Sequence, residues 1–208
     1  MNSIVAEKQY ISSKLGVPYE NLSQSYLRSE TQLTTQAVID FVLQTNKKTL
    51  PLVTERLLDL NDEFVITHFS VGLKAIASDT PTTLQQLTAP VLTYDNATAF
   101  AGANGANVSA IYNSDLSWTI DRKQFVPQFP VRAFRRVPTT QQGMNTAALD
   151  EYSNGLFAFY NSEPTKIDGR QTIDLSVNLG SSITFDDASN SYYAVFEARG
   201  YLIVNAKS

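Results

Sequence analysis

The sequence predicts a mainly β protein, an antiparallel β-sandwich of jelly-roll type behind a short helical or extended N-terminal arm. Three observations predict it. From Leu52 onward the chain breaks into short runs of β-forming residues, separated by stretches rich in Gly, Pro, Asn, Ser and Thr. Thr172 to Leu179 alternates strictly: Ile173, Leu175, Val177 and Leu179 share one side, Thr172, Asp174, Ser176 and Asn178 the other, as in a strand with one wet face. No regular helices separate these runs, which argues against βαβ crossovers and a parallel sheet.

Residues 1–48 read as the arm. Gly16 followed by Pro18 ends a first helix, and Ala37, Val38, Phe41 and Val42 recur at helix spacing. Isolated helices this short are marginal in water, so contacts with neighbouring subunits are expected to order the arm. Residues 49–208 read as the body. Its β-type runs are LVTERLLDL, EFVITHFSVGLKAIA, VSAIYN, LSWTIDRKQFV, VRAFRRV, GLFAFYN, TIDLSVNLG, SITF and YYAVFEARGYLIVNA. Asn104-Gly105, inside a repeated Gly-Ala-Asn, reads as a flexible turn; two glycines three apart make a poor phosphate loop.

A chain of 208 residues with 43% hydrophobic content is long enough for one good core. It has no cysteine, which excludes disulfides, thiolate metal sites and cysteine nucleophiles. The N-terminus lacks a basic region followed by a long apolar run, and no stretch is apolar for long enough to span a bilayer, so the chain reads as cytosolic at synthesis. Glycosylation sequons at Asn21, Asn96 and Asn107 carry no weight in that setting.

The net charge is −4, yet Arg122 to Leu149 holds five basic residues and no acid, leaving −9 on the rest. Within that segment lies FPVRAFRRVP, Phe129 to Pro138. Taken as strands, Leu116–Val126 and Val131–Val137 form a hairpin joined through PQFP. Arg132, Phe134 and Arg136 then share one face, and Arg135 shares the other with Val131, Ala133 and Val137. The first trio is the kind of amphipathic patch enriched at protein interfaces and is assigned to subunit contact. Arg135, on an apolar face, is assigned an ion pair inside its own subunit, because an unpaired buried charge costs several kcal/mol. A solvated strand with one exposed Phe is the plain alternative. Nucleic acid is the less favoured partner, since binders of phosphate usually carry a basic excess overall.

Chemistry is hard to place. His68 is the only histidine and sits inside a strand-like run, so a zinc site would have to draw on carboxylates, and a Ser-His-Asp triad would have no Gly-x-Ser-x-Gly elbow. The neighbouring acids Asp62-Glu63, Asp150-Glu151 and Asp186-Asp187 point to opposite faces of any strand. Asp186-Asp187 with Asn190 reads as a turn sooner than a calcium loop, and Trp118, Tyr192 and Tyr193 as core sooner than sugar-stacking platforms. No catalytic, cofactor or metal residue is assigned.

The arm, the roughly eight-stranded body with long Thr/Asn/Ala-rich loops, and the stretch IYNSDLSWTIDRKQFVPQFPVRAFRRVPTTQQG together resemble a viral or bacteriophage jelly-roll capsid protein. The resemblance is one of overall style. It implies a self-assembling structural virion protein whose partners are copies of itself and other virion proteins, located in the virion after a stay in the host cytoplasm. One departure is the arm, whose five basic and four acidic residues do not suit genome neutralisation. The alternative is a carbohydrate-binding β-sandwich, or less favourably a small glycosidase on the same scaffold.

Overall fold

The computed structural model describes residues 3–96, 98–100, 103–137, 157–158, 164–185 and 187–204. In chain order its elements are α1 (Ser3–Leu15), β1 (Ser23–Gln32), β2 (Thr35–Phe41), β3 (Glu63–Ile76), α2 (Thr83–Thr88), α3 (Ala103–Tyr112), β4 (Asp115–Ile120), β5 (Lys123–Pro130), β6 (Phe157–Ala158), β7 (Thr165–Asp168), β8 (Ile173–Thr184) and β9 (Ser191–Ile203). None of the described helices is long and apolar enough to cross a membrane.

The strands form two antiparallel sheets, β1-β9-β3 with β6 and β7 beyond β3, and β2-β8-β4-β5. β6 and β7 occupy successive stretches of one β3 edge: Phe69 and His68 face Phe157 and Ala158, and Ile66 to Glu63 face Thr165 to Asp168. Taken as one interrupted strand, they leave eight positions. First then pairs with last, second with seventh, third with sixth and fourth with fifth, so the chain is a long hairpin wrapped into two layers. This is the jelly-roll arrangement.

Inward-facing residues of both sheets meet in one core around Phe69, whose ring contacts Trp118, Phe129, Phe134, Phe157 and Phe196 at centroid distances of 5.4–6.1 Å. At Gly200 the β9 backbone passes so close to β3 that an added Cβ would lie 1.8 Å from the Val65 carbonyl oxygen, beside the bulge between Ile66 and His68. Only glycine fits there.

The outer face of the β1-β9-β3 sheet is covered twice. At one end Ile11 of α1 packs with Leu22, Val65, Tyr201 and Ile203, and the Tyr201 hydroxyl donates to Glu7 at 2.7 Å. Burial, then the Glu7 carboxylate, pushes the Tyr201 pKa up. At the other end residues 45–58 lie over a buried charge cluster. Lys74 pairs with Glu30, and both side chains are fully buried. Glu30 also accepts from Arg28 at 2.6 Å and from the Thr54 hydroxyl at 2.6 Å. Above them the Glu55 carboxylate receives the Glu30 amide, the Leu52 amide and the Lys48 ammonium at 2.6–2.7 Å. Burial alone would raise the Glu30 carboxyl, but hydrogen bonds from Lys74 and Thr54, with the Arg28 and Lys74 charges, hold it below its ordinary value.

Four sequence readings change. Residues 23–41 are not arm: β1 pairs along its whole length with β9, and β2 with β8. The apolar residues that matter in β2 are Ile39 and Phe41, two apart and buried, not the helix-spaced set. The boundary at residue 48 therefore fails, and α1 packs on its own chain's β3 and β9. LVTERLLDL is no strand but the cover just described, joined to β1 by an isolated bridge from Arg56 to Arg28 and to the segment after β2 by one from Leu58 to Gln44. VSAIYN belongs to α3, where Val108, Ile111 and Tyr112 are buried at spacings of three and four, as a helix face requires; Asn104-Gly105 lies in that helix too. The fourth concerns the arginine segment.

Candidate functional site

Leu116–Val126 is two strands rather than one. The chain reverses at Asp121 and Arg122, whose φ values of 47° and 65° are those of a type I′ hairpin turn. Asp121 compensates for this unusual turn chemistry, its carboxylate accepting from the Thr172 amide and the Gln171 side chain at 2.9 Å each. β5 then absorbs PQFP and ends at Pro130.

Val131–Phe134 is a 3-10 turn, not a strand. With three residues per turn, positions three apart eclipse, so Val131 and Phe134 point the same way, and both are fully buried. The Phe134 ring lies 5.4 Å from those of both Phe69 and Phe129. Phe134 is therefore core, and its assignment to a subunit interface is overturned: the alternation that put it beside Arg132 and Arg136 holds only for a strand. Those two arginines remain exposed. The segment is pinned at both ends, by the Val131 amide on the Ser114 carbonyl and by reciprocal bonds between Thr93 and the Arg136 backbone, all at 2.9 Å.

Arg135 pairs within the chain, its guanidinium donating to the Asp95 carboxylate at 2.5 and 3.1 Å. This hydrogen bond holds the Asp95 carboxyl below its ordinary value. The pair is not buried, however. Side-chain exposures of 42% and 32% leave it screened by water, so it is worth no more than about 1 kcal/mol. Arg135→Ala should accordingly cost under about 1 kcal/mol in chemical denaturation, in place of the larger cost that an apolar strand face would imply. Because the folded carboxyl titrates lower than the unfolded one, this small contribution is present above the ordinary aspartate range and is lost as pH falls through it. A cost that is large and pH-independent would contradict the screened pair.

Beside this pair lies an open cleft of about 430 Å³, lined by Asp95, Ser109, Tyr112, Asn113, Arg132 and Arg135. α3 supplies Ser109 and Tyr112, and the α2–α3 connection supplies Asp95. Sequence reasoning missed all three, since Asp95 lies 40 residues from Arg135 and carries no periodicity. The one available signal was the need of an arginine-rich loop for a carboxylate.

The other candidates are accounted for locally. His68 in β3 has its Nδ1 2.9 Å from the Thr67 hydroxyl. The Asp187 carboxylate is taken up by Asn190, the Ser189 amide and the Tyr192 hydroxyl, as in a turn before β9, and these bonds hold its pKa down. Asp186 and Asp150-Glu151 lie outside the described residues. Glu63 pairs with Lys166 at 2.8 Å. Among the described residues no three His, Cys, Asp or Glu side chains are placed to hold a metal ion. Trp118, Tyr192 and Tyr193 are buried. No family model, curated protein or solved structure matches the chain.

Proposed function

We propose that the chain is a structural virion protein, a capsid subunit of a virus or bacteriophage that assembles with copies of itself and with other virion proteins. The observation that carries this reading is the strand order, an eight-position jelly roll, the two-layer architecture used by viral capsid domains. Lectins and cupins share that architecture, so the surface has to decide between them. Trp118, Tyr192 and Tyr193, the aromatic side chains from which the sequence raises a carbohydrate reading, are in the core. The exposed cationic surface sits on a backbone tethered at Val131 and Arg136, so it is presented rigidly. Rigid presentation limits the entropy lost on association.

Negative-stain images of the purified full chain should show uniform particles much larger than the subunit. Arg132→Ala with Arg136→Ala should reduce particle yield while shifting the unfolding free energy by no more than about 0.5 kcal/mol, as for exposed positions generally. A chain that stays monomeric at every concentration and salt would overturn the reading. So would a double variant that assembles like the parent but loses salt-sensitive binding to single-stranded nucleic acid.

A further inference from the structure

The Arg132 cleft has a neighbour of opposite character. On the outer face of the second sheet lies a hollow of about 360 Å³ whose lining includes Asn113, Asp115, Ser117, Gln128 and Asn178. Register shifts in β5 opposite Leu116 and Trp118 push Pro127 and Gln128 out of the ladder and form one of its walls. Among the described residues that line it, Asp115 is the one that is charged and none is basic. Neither Asp115 nor Arg132 makes an ion pair among the described residues. Asn113 lines both the hollow and the cleft, so the two adjoin.

A polar hollow holding a carboxylate, next to an arginine-bearing cleft, is a self-complementary patch. A two-fold axis turns such a patch onto itself, so that residue i meets j while j meets i. We propose that two copies of this chain dock across a two-fold axis close to Asn113, each placing its Arg132 in the Asp115 hollow of the other. This rests on the subunit reading above and names the surface that Arg132 meets. The contact is made by side chains and is not an added strand, because Pro127 and Pro130 interrupt the row of N–H donors along β5. A guanidinium suits the hollow better than an ammonium, since its fork can bond a carboxylate in two places while its other N–H groups reach the Asn, Gln and Ser oxygens.

The test is a charge swap on the full chain, read as the dimerisation constant by analytical ultracentrifugation at low salt. Asp115→Arg and Arg132→Asp should each weaken pairing at least about tenfold, or about 1.4 kcal/mol, and the two together should restore it to within about threefold of the parent. Asp115→Asn, which keeps the shape, should weaken pairing in the same direction. Asp174→Arg, on the same sheet face but outside the hollow, should leave it unchanged. Circular dichroism and unfolding midpoints identify any variant that fails to fold. A parent chain that self-associates with no response to Asp115→Asn or to the swap overturns this docking geometry and leaves the subunit reading standing. A parent that never associates overturns both.

Discussion

Lys74→Ala should lower folding stability by about 3–5 kcal/mol, the cost of stripping one partner from a buried ion pair. Glu30 would remain on the covered face of β1 with no water to replace the ammonium. Arg28 and Thr54 share its other oxygen and cannot reach round to both. Burial lowers the Lys74 pKa and Glu30 opposes that, so the pair is held jointly, each charge tolerable only with the other. Replacing both, Lys74→Met with Glu30→Leu, should therefore cost much less than either alone, because a packed apolar pair avoids the desolvation. The pH dependence follows from the sign of the Glu30 shift. Its folded pKa lies below the unfolded one, so its contribution is full above the ordinary carboxylate range and declines as pH falls through it. Urea titrations of the single and double variants at neutral and acid pH give every term. A single-variant cost below about 1 kcal/mol would mean that the cover over this cluster opens to water.

Phe134→Ala should cost about 3–5 kcal/mol, the range for emptying an aromatic site in a packed core. Its ring is wedged against Phe69 and Phe129 and has no solvent-facing edge. Arg132→Ala, two residues earlier on the same turn, should stay within about 0.5 kcal/mol. The contrast between positions two apart separates a core anchor from a surface contact by equilibrium unfolding alone. If the Phe134 variant kept parental stability and lost only assembly, the ring would belong to an interface after all.

The parts of the fold readable beforehand were those in which sequence pattern and burial coincide. β8 shows strict alternation because one of its faces is wet, and β3 and β9 are long apolar runs because both of their faces are largely covered. Where two periodicities compete, the pattern misleads. In VRAFRRV a period of two places Phe134 with the arginines, whereas the period of three buries it with Val131, and Pro130 at the entrance was the only hint of the turn. Ala37 to Val42 offers a helical reading and a strand reading of equal local quality, and only pairing with β8, more than a hundred residues away, decides between them. The candidate site was half legible. Its arginines stood out by charge, but Asp95 and Asn113 came beside them only through the fold.

The pairing of first strand with last also sets a timetable for synthesis. Ser23 faces Leu202, so the nascent chain must grow by roughly 180 residues, on the order of 10–35 s of translation, before β1 meets its partner. The β4–β5 hairpin, by contrast, can close as soon as it emerges. Through that interval β1 carries an unpaired row of amides and carbonyls, the condition under which nascent chains on neighbouring ribosomes join edge to edge. β9 lies between β1 and β3 and is the last of the described strands to be made, so a chain released before Ser191 has a first sheet without its middle.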